Sequence, residues 1–188
     1  EAADCSVNGP TELVLSSDQK IFGVPGAIVP QITVAGGTRH SFVSYLRAKG
    51  SGIYFEPSAL PCSGNAFRAI TNTSLTIDNA TVENNLFVGF RLTKVNVDNS
   101  YGGYLRNNRF IRFTVHAAYP QLVINGNTAS GFESYGNVFL WFNFLTSHSY
   151  VTQIDYQDDL TFVGTDSESW NWNNYDNRAL FSTGDMGT

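Results

Sequence analysis

Glu83-Asn84-Asn85-Leu86-Phe87-Val88-Gly89-Phe90 and, further along, Arg106-Asn107-Asn108-Arg109-Phe110-Ile111-Arg112-Phe113 share one pattern: Asn, any residue, Phe, two residues, Phe. The pattern extends in both directions. Upstream, Cys62-Ser63-Gly64-Asn65-Ala66-Phe67-Arg68-Ala69-Ile70 sets Asn65, Phe67 and Ile70 in the same phase. Downstream, Ile124-Asn125-Gly126-Asn127-Thr128-Ala129-Ser130-Gly131-Phe132 sets Asn127 and Phe132 there, with Ala129 in place of the middle Phe. The four column positions, Asn65, Asn85, Asn108 and Asn127, are nearly evenly spaced.

A period of roughly 20 residues is the mark of a solenoid in which each repeat buries its apolar face only by stacking on the next. The fold class this predicts is all-β, a right-handed parallel β-helix. Asn suits its inter-strand turns because it tolerates the left-handed backbone region and can hydrogen-bond the coil above, while the Phe positions point inward. Asn65, Asn85, Asn108 and Asn127 are expected in one column. An antiparallel sandwich also gives short strands at regular spacing, but its hairpins do not require the same residue at each corner.

Ser134-Tyr135-Gly136-Asn137-Val138-Phe139-Leu140-Trp141-Phe142 shows the pattern again, but only half a period after the preceding match. Half a coil cannot reach the same corner, so the regular helix is expected to end there. Residues 1–144 form the β-helix in this reading, and 145–188 a cap, hairpin or oligomerisation segment. Earlier and later strands are expected at Leu13-Val14-Leu15, Gln19-Lys20-Ile21-Phe22-Gly23, 27–34, 149–154 and 160–163, between Ser-Asp, Pro-Gly and Gly-Gly turns.

The 188 residues carry a formal net charge of -5 with 42% hydrophobic content, enough for one core and too acidic for a surface that tracks phosphates. Nucleic acid is not an expected partner. No apolar run is long enough to span a bilayer as a helix, so no membrane partner is expected either. The absence of an initiator Met and the polar end at 182–188 read as a mature form or a fragment of something longer. Cys5 and Cys62 either close one disulfide or remain free thiols.

With the Asn85 and Asn108 repeats, and with Asp18-Gln19-Lys20-Ile21-Phe22-Gly23-Val24-Pro25-Gly26-Ala27 upstream, the chain resembles the pectate-lyase-like β-helices across residues 13–144. Within these it is most similar to bacteriophage tailspikes and related polysaccharide depolymerases. The resemblance implies a homotrimer on a virion tail or otherwise extracellular, with a surface polysaccharide bound on its lateral face or between subunits. It also implies cleavage by paired or triple carboxylates, though no catalytic motif of a named subfamily matches residue by residue. The alternative from another class is a non-catalytic structural or adhesive β-solenoid.

Glycoside hydrolysis needs two carboxylates, about 5 to 5.5 Å apart for retention and about 6.5 to 9.5 Å for inversion. Asp155, Asp158 and Asp159 are the densest acidic cluster and the catalytic candidates, with Glu83 and Glu133 beside the repeated turns. Alternatively these are solvated turn residues that deter edge pairing. Trp170-Asn171-Trp172-Asn173-Asn174-Tyr175 offers flat faces for a sugar's apolar side and amides for its hydroxyls. Trp170, Trp172, Tyr175 and Asn173 are therefore the ligand-binding candidates. The same indoles suit packing at a solenoid end or subunit seam. Arg106, Arg109 and Arg112 read either as a basic rim that could meet an acidic glycan or as scattered solvated residues. His40, His116 and His148 lack ligand spacing, no Gly-rich phosphate loop or nucleophile elbow is present, and neither metal nor cofactor is expected.

Overall fold

The computed structural model describes residues 12–24, 27–71, 74–99, 101–116, 122–125, 134–145, 152–155, 157–158, 160–163 and 179–182. Among them all regular structure is strand, and every pairing of these strands is parallel. The chain is a β-solenoid.

One coil shows how it winds. Leu86–Val88 lies in an eight-stranded sheet, Arg91–Leu92 in a three-stranded one, Lys94–Asp98 in a seven-stranded one and Tyr104–Arg106 in a five-stranded one, before Arg109–Ile111 rejoins the eight-stranded sheet beside Leu86–Val88. Strands of consecutive coils are neighbours in each sheet. The stack continues through Thr152–Asp155, Gln157–Asp158, Leu160–Val163 and Ala179–Ser182, which add to the seven-, five- and eight-stranded sheets.

The core follows from alternation. In a strand successive side chains face opposite sides, so register between coils places like with like. Ile32, Ile53, Leu75, Val95 and Leu122 form one buried column of the seven-stranded sheet, and Val34, Phe55, Ile77, Val97 and Ile124 the next. Phe67, Phe87, Phe110 and Phe139 stack inside the eight-stranded sheet with ring planes 3–6° apart and centroids 4.7–5.2 Å apart. That separation matches the strand spacing. Phe90, Phe113 and Phe142 make a second column at 4.7 Å, meeting the first edge to face. Both columns, and Ile70 beside them, are fully buried.

The short strand between these columns is set by two turns. Gly64, Asn84, Asn107 and Gly136 have positive φ immediately before the column Asn, and Ala69, Gly89, Arg112 and Trp141 have positive φ immediately before the second aromatic position. A left-handed residue at each end turns the chain without a longer loop.

The Asn column is Asn65, Asn85, Asn108 and Asn137, all buried. Nδ2 of each of the first three donates to Oδ1 of the next at 3.0–3.1 Å. The same Oδ1 accepts the backbone N–H of the Asn below at 2.9–3.1 Å. Each Nδ2 also reaches back to a carbonyl of the preceding coil: Thr38, Cys62, Val82 and Leu105 respectively. Ser41 ends the column below, its N–H donating to Asn65 Oδ1 and its hydroxyl standing in for the amide toward Ser16 O and Gln19 N.

Asn137 rather than Asn127 thus holds the fourth place, and 134–142 stacks on the coil below instead of ending the regular helix. Asn127 and Phe132 lie outside the described residues. The coil from Asn108 to Asn137 is 29 residues long, against 20 and 23 for the two before it. The added length falls in 117–121 and 126–133, between strands whose register is kept. Cys62 is a free, buried thiol whose Sγ lies 3.2 Å from Ala35 O; Cys5 is outside the described residues.

Candidate functional site: the outer face of the five-stranded sheet

Tyr104-Leu105-Arg106 alternates about the sheet plane. Leu105 is buried in register with Val82 and Cys62, which leaves Tyr104 and Arg106 on the outer face. Arg106 pairs in register with Glu83 of the coil below and Tyr135 of the coil above. The guanidinium carbon sits 3.6 Å from the centroid of the Tyr104 ring and 5.1 Å from that of Tyr135. Tyr104 Oη donates to Glu83 Oε2 at 3.3 Å. Burial pushes the Tyr104 hydroxyl pKa up, and the Glu83 charge adds to it, while Arg106 opposes.

The neighbouring turn fixes Tyr135. Asn107 donates its N–H to Tyr135 O at 3.0 Å, and Gly136 follows at φ +66° where a Cβ would collide with the Asn107 side chain. Tyr135 is itself exposed. The result is an open aromatic ring beside a planar cation that a second ring supports, with a carboxylate one coil away. Stacking and bidentate hydrogen bonding are both open to such a set.

Asp158 is the next register position after Tyr135, on the same sheet. Its Cα and that of Glu83 are three strand spacings apart, about 14 Å. Asp155 belongs to the seven-stranded sheet, in register with Asn125, which continues the line of Asp78 and Asp98. The backbone therefore carries Asp155 and Asp158 onto different sheets. Asp159, Glu133, Trp170, Trp172, Asn173 and Tyr175 lie outside the described residues.

The three arginines do not form one rim. Arg106 faces out from the five-stranded sheet, Arg109 from the eight-stranded sheet beyond the Asn107-Asn108 turn, and Arg112 occupies the next corner, 5.6 Å from the Trp141 ring. A spacing of three crosses a corner of the solenoid. Tyr104 and Tyr135 do not stand out in the sequence because neither belongs to the repeated pattern. The available signal was the alternation around Leu105 and the phase of Ser134-Tyr135 relative to Asn137.

On the seven-stranded sheet one outward line runs Val14, Thr33, Tyr54, Thr76, Asn96 and Val123 in register, polar in its middle and apolar at both ends. Asp78 accepts from Asn79 Nδ2 at 2.8 Å. Burial raises the Tyr54 hydroxyl pKa, and Asp78 and Glu56 raise it further. Among the described residues no group of three or more His, Cys, Asp or Glu is placed to hold a metal ion. Comparison of the chain with family models, curated proteins and solved structures gives no match.

Proposed function

We propose that the chain is the glycan-engaging solenoid of a tailspike-like fibre, a homotrimer on a virion tail or otherwise extracellular, which holds a surface polysaccharide against its lateral face. The observation that carries this reading is the Tyr104, Arg106, Tyr135 and Glu83 cluster. An exposed ring covers the apolar face of a sugar, and the guanidinium and carboxylate take its hydroxyls or acidic groups at fixed positions. Trp170, Trp172, Tyr175 and Asn173 belong to the same reading as a second binding segment. Asp155, Asp158 and Asp159 are its proposed carboxylates for cleavage.

A second reading, adhesion without cutting, is favoured by one feature: Arg106 and Tyr135 occupy the two register positions between Glu83 and Asp158. That layout suits grip along a chain better than attack on one bond.

Equilibrium binding to capsular and O-antigen polysaccharides tests both. Tyr135→Ala, Arg106→Ala and Trp172→Ala should each weaken binding about tenfold, equivalent to about 1.4 kcal/mol. Asp158→Asn with Asp159→Asn should leave binding intact and abolish release of reducing ends or unsaturated products. Binding with no such products from the wild-type chain selects the adhesive reading. Failure to bind any polysaccharide overturns both.

A further inference from the structure

We infer that the corner between the eight-stranded and three-stranded sheets is a second polysaccharide site, whose arginines take the carboxylates or sulfates of a linear acidic glycan. This rests on the reading of the chain as glycan-engaging and narrows it to a polymer that carries negative charge in series.

Five coils turn this corner on one left-handed residue each: Tyr45, Ala69, Gly89, Arg112 and Trp141, at φ between +52° and +68°. They stack in register, because the residue before each is paired from coil to coil, Ser44 with Arg68 and onward to Leu140. Two residues past the corner, Arg47, Thr71, Arg91, Thr114 and Asn143 form the next line in register. Tyr45 and Trp141 are 54% and 52% exposed at the two ends, about 19 Å apart at four strand spacings. Between them Ala69 and Gly89 add almost no side chain, which leaves a low floor bounded by two open rings. The ring of Trp141 is backed by Arg112, whose guanidinium carbon lies 5.6 Å from its centroid. Large side chains are disfavoured on left-handed backbone, so Tyr45, Arg112 and Trp141 held there point to function rather than to stability.

Charge decides the occupant. Four successive coils each add one exposed arginine along the floor: Arg47, Arg68, Arg91 and Arg112. Arg68 stands just before the corner, Arg112 on it, and Arg47 and Arg91 just beyond it, stepping about 4.8 Å per coil. The segments that pass through this corner, 42–49, 66–71, 86–94, 109–116 and 138–145, hold seven of the chain's eleven Lys and Arg and neither Asp nor Glu. The chain as a whole has a formal net charge of -5, so its cations are gathered here rather than scattered. Among the described residues no carboxylate pairs with these four arginines. Guanidinium groups grip oxyanions in bidentate fashion, and a row of them without an internal counter-charge favours a polyanion laid along the axis. A single-stranded nucleic acid would need rings on which successive bases stack, whereas here the rings stand only at the two ends. Those rings suit the apolar faces of sugars, and the arginines between them suit the acidic groups.

Equilibrium binding of the full chain to carboxymethyl cellulose tests the corner, with uncharged hydroxyethyl cellulose, a single-stranded oligodeoxynucleotide and phosphatidylglycerol vesicles measured in parallel. Carboxymethyl cellulose should bind at least tenfold more tightly than hydroxyethyl cellulose, and less tightly as salt rises. Arg68→Gln with Arg91→Gln should weaken that binding at least tenfold and flatten its salt dependence, while Arg68→Lys with Arg91→Lys should keep the salt dependence. Far-UV circular dichroism confirms that each variant is folded. Tyr135→Ala reports on the other face. If it weakens binding and the glutamine pair does not, the corner is overturned and the proposed function stands; the reverse result upholds the corner and removes the Tyr104 cluster. No binding of carboxymethyl cellulose, or a preference for the oligonucleotide or the vesicles that the glutamine pair abolishes, also overturns the corner.

Discussion

Asn85 directs two hydrogen bonds at a single atom of Asn108: its Nδ2 at 3.1 Å and its backbone N–H at 3.0 Å both end on Oδ1. Asn108 in turn donates to Val82 O and to Asn137 Oδ1. All of these atoms are buried, so loss of the amide leaves several polar groups unpaired at about 1 to 3 kcal/mol each, not additively. Asn108→Ala should cost about 3 kcal/mol or more in urea denaturation. Asn108→Asp should be worse at neutral pH, because a carboxylate oxygen would replace Nδ2 against two acceptors. The folded state raises the pKa of that carboxyl, so the extra penalty should shrink as pH falls toward about 4, near the unfolded value. Equal destabilisation by the two variants at pH 7 would contradict the ladder.

Phe110 is stacked on both sides, between Phe87 and Phe139. Phe110→Ala should lose about 3 to 5 kcal/mol through burial and cavity terms. Phe22→Ala, on the outer surface, should change the stability of the isolated chain by less than about 1 kcal/mol. Similar midpoint shifts for the two would mean that inside and outside are misassigned.

Ala69 and Gly89 occupy equivalent corner positions at φ +52° and +68°. A Cβ on Gly89 meets nothing closer than Ala69 at 3.8 Å, so space is not limiting there and only backbone conformation is. Gly89→Ala should therefore destabilise by about 1 to 2 kcal/mol, and Ala69→Gly should stabilise by up to about 1 kcal/mol. Opposite signs in a thermal melt are the diagnostic result.

Burial raises the Cys62 thiol pKa above its ordinary 9.0, more than nearby backbone groups lower it. The folded state thus resists ionisation that the unfolded chain permits. The thiol's contribution to stability is complete below about pH 8.5, the unfolded range, and is lost as pH rises through the folded value. The difference in unfolding free energy between the wild type and Cys62→Ala should narrow from pH 8 to pH 10. A constant difference would show that the thiol ionises equally in both states.

The parallel stack was legible in the sequence because Asn65, Asn85 and Asn108 recur with Phe two positions on, and each coil must satisfy the same turn. Beyond Asn108 the period misleads. Coil length is free to grow between strands whose register is kept, while the contacts that stack one coil on the next constrain residue type. Asn137 has Phe139 and Phe142 at the required offsets and Asn127 does not, so chemical identity was the better guide than spacing. The site was less legible. Glu83 and Arg106 stood out, but the register that sets Arg106 against Tyr135 depends on the length of the coil between, which the sequence does not reveal by itself.

Unequal coils have a mechanical corollary. Backbone hydrogen bonds between coils run along the axis of the stack, so tension along that axis loads them one row at a time and coils peel singly. The slack released by each is its contour length, about 7 nm for the coil from Asn65 to Asn85 and about 10 nm for that from Asn108 to Asn137 at roughly 3.4 Å per residue. Traction from a tethered end would be absorbed in discrete, unequal increments, while the coils still stacked keep their lateral faces unaltered.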